Sequence, residues 1–195
     1  LSELERHDDA LTKANAALGA YPDFAQFSEI QASALEAAGH SKHEVRAALS
    51  RAIELDPERA SALSALARLT AEAGQLETAI ALYDRATAAA GAGLATAVPA
   101  EPEAAWAAIE LLVANELDDD IDRRALALLK MHPYHGDAAL LLARRMAQRG
   151  DDLNRARSFA QRALLFGGGP KARATLGWIQ LELGETQAAI DHLRA

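Results

Sequence analysis

Apolar residues recur along this chain in short stripes that step by four and then by three positions. The stripes are Ala10/Ala14/Ala17, Val45/Leu49/Ala52 and Ile121/Ala125/Leu128. Steps of four and three place the members of a stripe on one face of an α-helix. A proline follows 12 residues after the first member of each stripe, at Pro22, Pro57 and Pro133. Because proline cannot continue a helix, the pattern predicts amphipathic helices separated by turns.

Apolar and small residues also recur along the chain at a fixed period. Leu142, Ala143 and Gly150 recur 34 residues later as Leu176, Gly177 and Gly184. A period of this length is typical of stacked helix–turn–helix units, each of which buries its apolar face against its neighbours. The composition agrees, because alanine and leucine are frequent and aromatic residues make up only 5% of the chain. Strands favour aromatic and β-branched residues, so the expected class is all-α.

This pattern resembles the tetratricopeptide repeat, whose first helix carries W-x2-L-G-x2-Y and whose second carries A-x3-F before a closing proline. Leu63-x2-Leu66-Ala67-x2-Thr70 fits well, followed by Ala79-x3-Tyr83. A second match runs from residues 173–180 to Ala189 and Leu193. Trp106-x2-Ile109-Glu110 keeps the tryptophan but puts Glu110 at the position of the small residue. The resemblance implies a right-handed α-solenoid of about five units and eleven helices. An ordinary helical bundle is the alternative.

The repeat predicts two blocks joined by a loop. The N-terminal block spans residues 1–92 and contains a partial unit (1–25) and units 26–59 and 60–92. A loop or hinge is expected over residues 93–101, where glycine and proline interrupt the helical pattern. The C-terminal block spans 102–195, with units 102–135 and 136–169 and a partial unit 170–195. Partial units at both ends are expected of a piece of a longer array, or of an array covered by a second copy of itself.

Charge narrows the choice of partners. The net charge is −8 and the sequence pI is about 5.2, and no basic arm is present. Nucleic acid needs a basic face, so it is not an expected partner. No apolar run approaches the roughly 20 residues that span a bilayer, so no membrane insertion is expected. The chain has no cysteine, which excludes disulfides and thiolate chemistry.

Three stretches could carry metal or catalytic chemistry, and none is persuasive. The His132/His135 and His40/His43 pairs lie at predicted turns, with no further ligands to complete a metal site. The acidic run at residues 118–122 lacks the central glycine of a calcium loop and is expected to cap the helix near Ile121. No serine has a local partner histidine that would make it a nucleophile. We therefore expect no enzymatic activity, no metal and no cofactor.

The resemblance implies that the first helix of each unit lines a concave groove that binds a peptide or a partner helix. The residues expected there lie one position beyond the small residue and one turn to either side, with a lysine at the mouth. They are Ser64, Arg68, Leu111, Leu140, Arg144, Lys171 and Trp178. Apolar side chains mixed with a few cations suit an acidic or amphipathic peptide, with the arginines as donors to carboxylates and Trp178 as an apolar anchor. Alternatively, the arginines pair with acidic neighbours and Trp178 packs against a further unit.

The sequence thus predicts a protein-interaction scaffold. One alternative is a self-assembly module that forms a homo-oligomer through uncapped terminal helices. Another is a regulatory or substrate-recruiting segment of a larger envelope, secretion or enzyme protein. The composition and the stretch LGWIQLELG (176–184) resemble repeats of bacterial envelope and secretion proteins. That resemblance favours a bacterial envelope or periplasmic location over the cytoplasm without fixing the compartment.

Overall fold

A computed structural model of the chain describes residues 3–92, 102–117 and 120–194. These residues form eleven α-helices and no strand, which confirms the all-α prediction. In chain order the helices are α1 (Glu3–Ala20), α2 (Ala25–Ala37), α3 (Lys42–Leu55), α4 (Ala60–Glu72), α5 (Leu76–Ala92), α6 (Glu103–Ala114), α7 (Ile121–Met131), α8 (Gly136–Arg149), α9 (Leu153–Leu165), α10 (Gly169–Glu182) and α11 (Thr186–Arg194).

The chain divides into two compact units, residues 1–111 and 112–195. The loop or hinge predicted at residues 93–101 lies outside the described residues and stays a prediction, as do the block and unit boundaries drawn from it. Helix α5 extends to Ala92, the last residue described before that stretch.

In the first unit, α2 pairs with α3 and α4 pairs with α5, while α1 packs against α2. Alanine occupies the closest approaches: Ala52, Ala62 and Ala67 are completely buried. Leu63 and Tyr83 pack in one cluster with Ala67, and Leu49 packs in another with Ala52 and Ala62. A methyl group at a crossing lets two helix backbones approach closely, and the larger neighbours then restore close packing.

In the second unit, α8 pairs with α9 and α10 pairs with α11, and α7 packs against α8. Ala143 and Ala160 lie in one buried cluster with Leu176 and Ile179. Gly177 is the small residue of α10. A Cβ atom added to it would lie 2.8 Å from Cγ of Leu193 on α11, so the Leu193 side chain packs directly over the backbone of Gly177.

The turn inside each of four helix pairs is built in the same way. Each first helix ends at or just before a glycine with positive φ, a conformation that glycine adopts without steric cost. These glycines are Gly39, Gly74, Gly150 and Gly184, with φ of 75°, 77°, 68° and 79°. The 34-residue match of Gly150 and Gly184 therefore marks equivalent turns.

One local expectation is wrong, and a second is met only in part. In α6 the small residue at the crossing is Ala108, which is 1% exposed and packs in a cluster with Tyr83 and Ala86, whereas Glu110 is exposed. At α7 the N-cap residue is Asp120, but its side chain accepts no capping hydrogen bond. It accepts hydrogen bonds from the Arg123 guanidinium instead. Residues 118 and 119 of the acidic run lie outside the described residues.

Candidate functional site

Helices α8 and α10 contact each other directly and form the sides of an open cavity of about 420 Å³. Three of the predicted groove residues meet there: Arg144 from α8, and Lys171 and Trp178 from α10. The complete lining is Arg144, Gln148, Lys171, Ala174, Thr175 and Trp178. We call this cavity the α8/α10 groove.

The repeat itself places these side chains. Arg144 follows Ala143, and Trp178 follows Gly177, the two small buried residues 34 positions apart. A residue that follows the buried small residue points away from the helix pair, so equivalent residues on α8 and α10 face the same side. Lys171 lies two turns before Trp178, and the small side chain of Ala174 between them leaves the groove open.

Both helices begin in a defined way. The Nδ1 atom of His135 accepts a hydrogen bond of 3.2 Å from the backbone N–H of Ala138, so His135 caps the N-terminus of α8. Helix α10 begins at Gly169 and has Pro170 in its first turn, where the missing N–H costs nothing. The sequence suggested only an exposed turn histidine at position 135. Its capping role could have been found from its place immediately before the helical pattern.

The groove carries uncompensated positive charge. Arg144 and Lys171 are exposed, and neither forms an ion pair with any residue in the described ranges. Trp178 is half-buried, and its indole Nε1 donates a hydrogen bond of 3.2 Å to the carboxylate of Glu182. The groove therefore presents two cations and an oriented aromatic face in a protein whose net charge is −8.

The structure places the other predicted residues differently. Ser64, Arg68 and Leu111 belong to the first unit, where all three are half-buried. Leu140 is only 7% exposed and packs inside the second unit. Gln148 and Thr175 also line the groove and were not predicted. Gln148 lies one turn after Arg144, and that spacing alone could have indicated it.

Arg68 is held by acidic neighbours. Its Nη2 donates hydrogen bonds of 2.6 and 2.8 Å to Glu36, and its Nη1 donates one of 2.9 Å to Glu72. The hydrogen bond to Glu36 is the main reason that the pKa of Arg68 lies above its ordinary value. Pairing with neighbouring carboxylates was the alternative considered for both arginines, and the structure shows it for Arg68.

Other kinds of site find little support in the described residues. Within residues 3–92, 102–117 and 120–194, no three histidine or acidic side chains are grouped so that they could hold a metal ion. None of the helices described above is both long and apolar enough to cross a bilayer.

No protein-family model and no curated protein matches this sequence. Solved structures do match its fold. The crystal structure of YrrB, a TPR protein with an unusual peptide-binding site, is 15% identical to this chain, with a TM-score of 0.67 over 93% of this chain and 89% of YrrB. The crystal structure of MamA is 12% identical, with a TM-score of 0.65 over 87% of this chain and 88% of MamA.

PilF of Pseudomonas aeruginosa is 14% identical, with a TM-score of 0.72 over 96% of this chain and 82% of PilF. Identities at this level show the fold and nothing more specific. They confirm the prediction made from the 34-residue period: the chain has the fold of a tetratricopeptide-repeat solenoid.

Proposed function

We propose that this protein is a protein-interaction scaffold, and that its α8/α10 groove binds an acidic, amphipathic peptide or helix of a partner. One observation carries the proposal: Arg144, Lys171 and Trp178 line one cavity, and neither cation has a carboxylate partner in the described part of the chain. An exposed, uncompensated pair of cations beside an aromatic ring is complementary to a segment that combines carboxylates with an apolar side chain.

Each side chain has a distinct part in this binding mode. The planar guanidinium of Arg144 suits a bidentate contact with a carboxylate, and Lys171 supplies a second, more mobile charge. Trp178 offers a large apolar face whose orientation is fixed by its hydrogen bond to Glu182. Lys171 and Trp178 are two helical turns apart, so the acidic and apolar groups of the ligand should be separated by about 10 Å.

The test is a pull-down from a lysate of the source organism. The wild-type chain is compared with the Trp178→Ala/Arg144→Ala double variant and with a matched control, Tyr134→Ala/Lys130→Ala. The control also removes an exposed aromatic ring and an exposed cation of the second unit, but neither residue lines the groove. We expect one protein to be retained by the wild type and the control and lost from the groove variant. Retention by all three forms would place binding elsewhere and contradict the proposal.

Self-association is a second candidate, because the first unit exposes a group of aromatic rings. Tyr21 and Phe24 are 57% and 59% exposed, and the rings of Tyr21, Phe24 and Phe27 contact one another in T-shaped and tilted arrangements, with centroid distances of 5.9–6.0 Å. Exposed apolar patches of this kind often mark interfaces. If this patch joins two copies, light scattering will show a mass that rises with concentration and a Tyr21→Ser/Phe24→Ser variant that remains monomeric. A wild-type mass equal to that of one chain at every concentration would exclude this role.

A further inference from the structure

Charge is distributed unevenly between the two compact units. Residues 1–111 contain 17 acidic and 8 basic side chains, a net charge of −9, whereas residues 112–195 contain 11 acidic and 12 basic ones, a net charge of +1. The excess negative charge of the chain therefore comes entirely from the first unit. Two copies of such a chain attract each other when the first unit of one approaches a cationic site on the second unit of the other.

The α8/α10 groove is such a cationic site. Of its six lining residues, only Arg144 and Lys171 are charged. The nearby carboxylate of Glu182 accepts the indole hydrogen bond of Trp178, and with this carboxylate included the groove still has a net charge of +1. A ligand of the groove should therefore combine a net negative charge with an apolar group that packs on Trp178.

The turn between α1 and α2 carries the matching groups on the first unit. It reads Tyr21-Pro22-Asp23-Phe24, and both of its rings are exposed. The side chain of Asp23 is 86% exposed. Nη2 of Arg51 lies 3.9 Å from the Asp23 carboxylate, but Arg51 also pairs with Glu54, so these three groups have a net charge of −1. We call residues 21–24 the aromatic turn.

The spacing within the aromatic turn fits the groove. Asp23 is two residues from Tyr21 and next to Phe24. Two residues of chain span at most about 7 Å, and the side chains extend beyond the backbone. A carboxylate and a ring of the turn can therefore lie as far apart as Lys171 and Trp178, which are separated by about 10 Å. One ring and the carboxylate can thus contact both ends of the groove at once.

A second exposed aromatic pair in the described residues fits the groove less well. Tyr134 and Phe166, whose ring centroids are 4.8 Å apart, belong to the second unit. Lys130 and Arg162 each stand four residues before one of these rings, and Asp137 stands three residues after Tyr134. None of the three forms an ion pair with a described residue, so the surroundings of this pair are net positive, as the groove is. Contact between two aromatic turns is also disfavoured, because both are negative.

We propose that the partner of the α8/α10 groove is a second copy of this chain, whose aromatic turn is the acidic, amphipathic ligand. One ring of the turn packs on Trp178, and the Asp23 carboxylate pairs with Arg144 and Lys171. The inference rests on the function proposed above and names the partner of that same site. The contact joins different surfaces of the two copies, so every pair retains one open groove and one open turn. Association therefore continues head to tail as the concentration rises.

Two variants each remove one side of the contact. The groove variant is Arg144→Glu/Lys171→Glu, and the turn variant is Tyr21→Ser/Phe24→Ser. We expect the wild-type mass in light scattering to rise with a Kd on the order of 0.1 mM, because one turn in one groove buries less surface than a standard interface. Each variant alone should keep the mass of one chain. The matched control Lys130→Glu/Arg162→Glu changes the net charge equally outside the groove and should associate as the wild type does.

An equimolar mixture of the two variants gives the sharpest outcome. The intact groove of the turn variant should bind the intact turn of the groove variant. The mixture should therefore form pairs with the mass of two chains and nothing larger, because the groove and the turn that remain open are both mutated. If Tyr21→Ser/Phe24→Ser unfolds, Asp23→Lys takes its place. Asp23→Lys alone should also keep the mass of one chain, because its turn then meets the groove with a like charge.

Three results would overturn the proposal. They are a wild-type mass of one chain up to about 1 mM, roughly tenfold above the expected Kd, undiminished association of the groove variant or of Asp23→Lys, and a mixture that stays at the mass of one chain. Failure of this inference differs from failure of the function proposed above. If the chain does not associate but the pull-down retains a protein that the groove variant loses, the groove remains a peptide site and only its assignment to a second copy is wrong.

Discussion

Arg68 on α4 donates two hydrogen bonds, 2.6 and 2.8 Å long, to the carboxylate of Glu36 on α2. Arg144 follows Ala143 on α8 as Arg68 follows Ala67 on α4, yet it pairs with no carboxylate in the described part of the chain. Equivalent positions of the repeat thus hold one arginine that links two helices and one that is open to a ligand. This difference is why we place peptide binding on the second unit.

The Arg68–Glu36 pair should contribute little to folding. Their side chains are 43% and 46% exposed, so solvent screens the attraction. A double-mutant cycle with Arg68→Gln and Glu36→Gln, measured by urea unfolding, should give a coupling free energy below about 1 kcal/mol. A coupling above about 2 kcal/mol would show that the pair behaves as a buried one.

Charge reversal in the groove should reduce affinity for the partner retained in the pull-down. Arg144→Glu and Lys171→Glu should each weaken binding by roughly tenfold, about 1.4 kcal/mol, because the ligand carboxylates would then face a like charge. Lys130→Glu carries the same change in net charge outside the groove and should have little effect. Calorimetric titration of the isolated partner segment measures all three. Equal losses would indicate a general charge effect and would argue against a groove site.

Gly136 should not tolerate a side chain. A Cβ atom built there would lie 2.1 Å from the backbone oxygen of Phe166, and a backbone atom cannot move aside cheaply. Gly136→Ala should therefore lower the free energy of unfolding by about 1–3 kcal/mol or more. The control is Gly19→Ala, in α1, where nothing lies within 4 Å of the added atom. This change should raise stability by about 0.5–1 kcal/mol, because alanine favours a helix over glycine. Urea unfolding of both variants measures the two changes in the free energy of unfolding.

Asp122 should make the second unit sensitive to acid. Burial raises the pKa of this carboxyl group, but hydrogen bonds from Arg145 and Arg149 outweigh burial, and the pKa lies below its ordinary value of 3.8. A lowered folded-state pKa means that the stabilisation is complete above pH 3.8 and is lost as the pH falls from there through the folded-state value. At neutral pH Asp122→Asn should cost about 1 kcal/mol. The difference from wild type should shrink toward zero below pH 3.8, as followed by thermal unfolding. A constant difference would contradict this account.

Ser28 offers a stabilising substitution. It is 1% exposed, and its hydroxyl has no hydrogen-bond partner among the described residues. Ser28→Ala removes this polar group and should raise the free energy of unfolding by about 1 kcal/mol. Ser33 on the same helix is exposed and donates to the Glu29 carbonyl, so Ser33→Ala should change stability by less than about 0.5 kcal/mol. A loss of stability at Ser28 would show that its hydroxyl is satisfied in solution.

Helix content and the repeat were predictable from the sequence because they depend on periodic features. Apolar stripes, turn glycines and small residues such as Ala143 and Gly177 recur at fixed spacing, and each has a local physical reason. The α6 register was misjudged because that helix is rich in alanine. Both Ala107 and Ala108 can occupy a crossing, and the tryptophan at position 106 pointed to the wrong frame.

The site was predictable only in part. Arg144, Lys171 and Trp178 came together because their mutual positions follow from the repeat. The ion pairing of Arg68 could not be predicted in this way, because it depends on Glu36, which lies 32 residues away on a different helix. No feature of the sequence indicated a second cavity, lined by α7, α8 and α9, for a similar reason. Its lining comes from three helices, and no regular spacing along the chain links Leu126, Met146 and Phe159.

The completely buried alanines at the helix crossings limit which sequences can adopt this fold. Each is a place where any larger side chain would force two helices apart. At the other buried positions, a repeat requires little more than an apolar residue of about the right size. Only a few positions in each helix pair therefore have strict steric limits, and the others can hold a wider range of side chains. Such loose requirements are consistent with the shared fold of this chain and YrrB at 15% sequence identity.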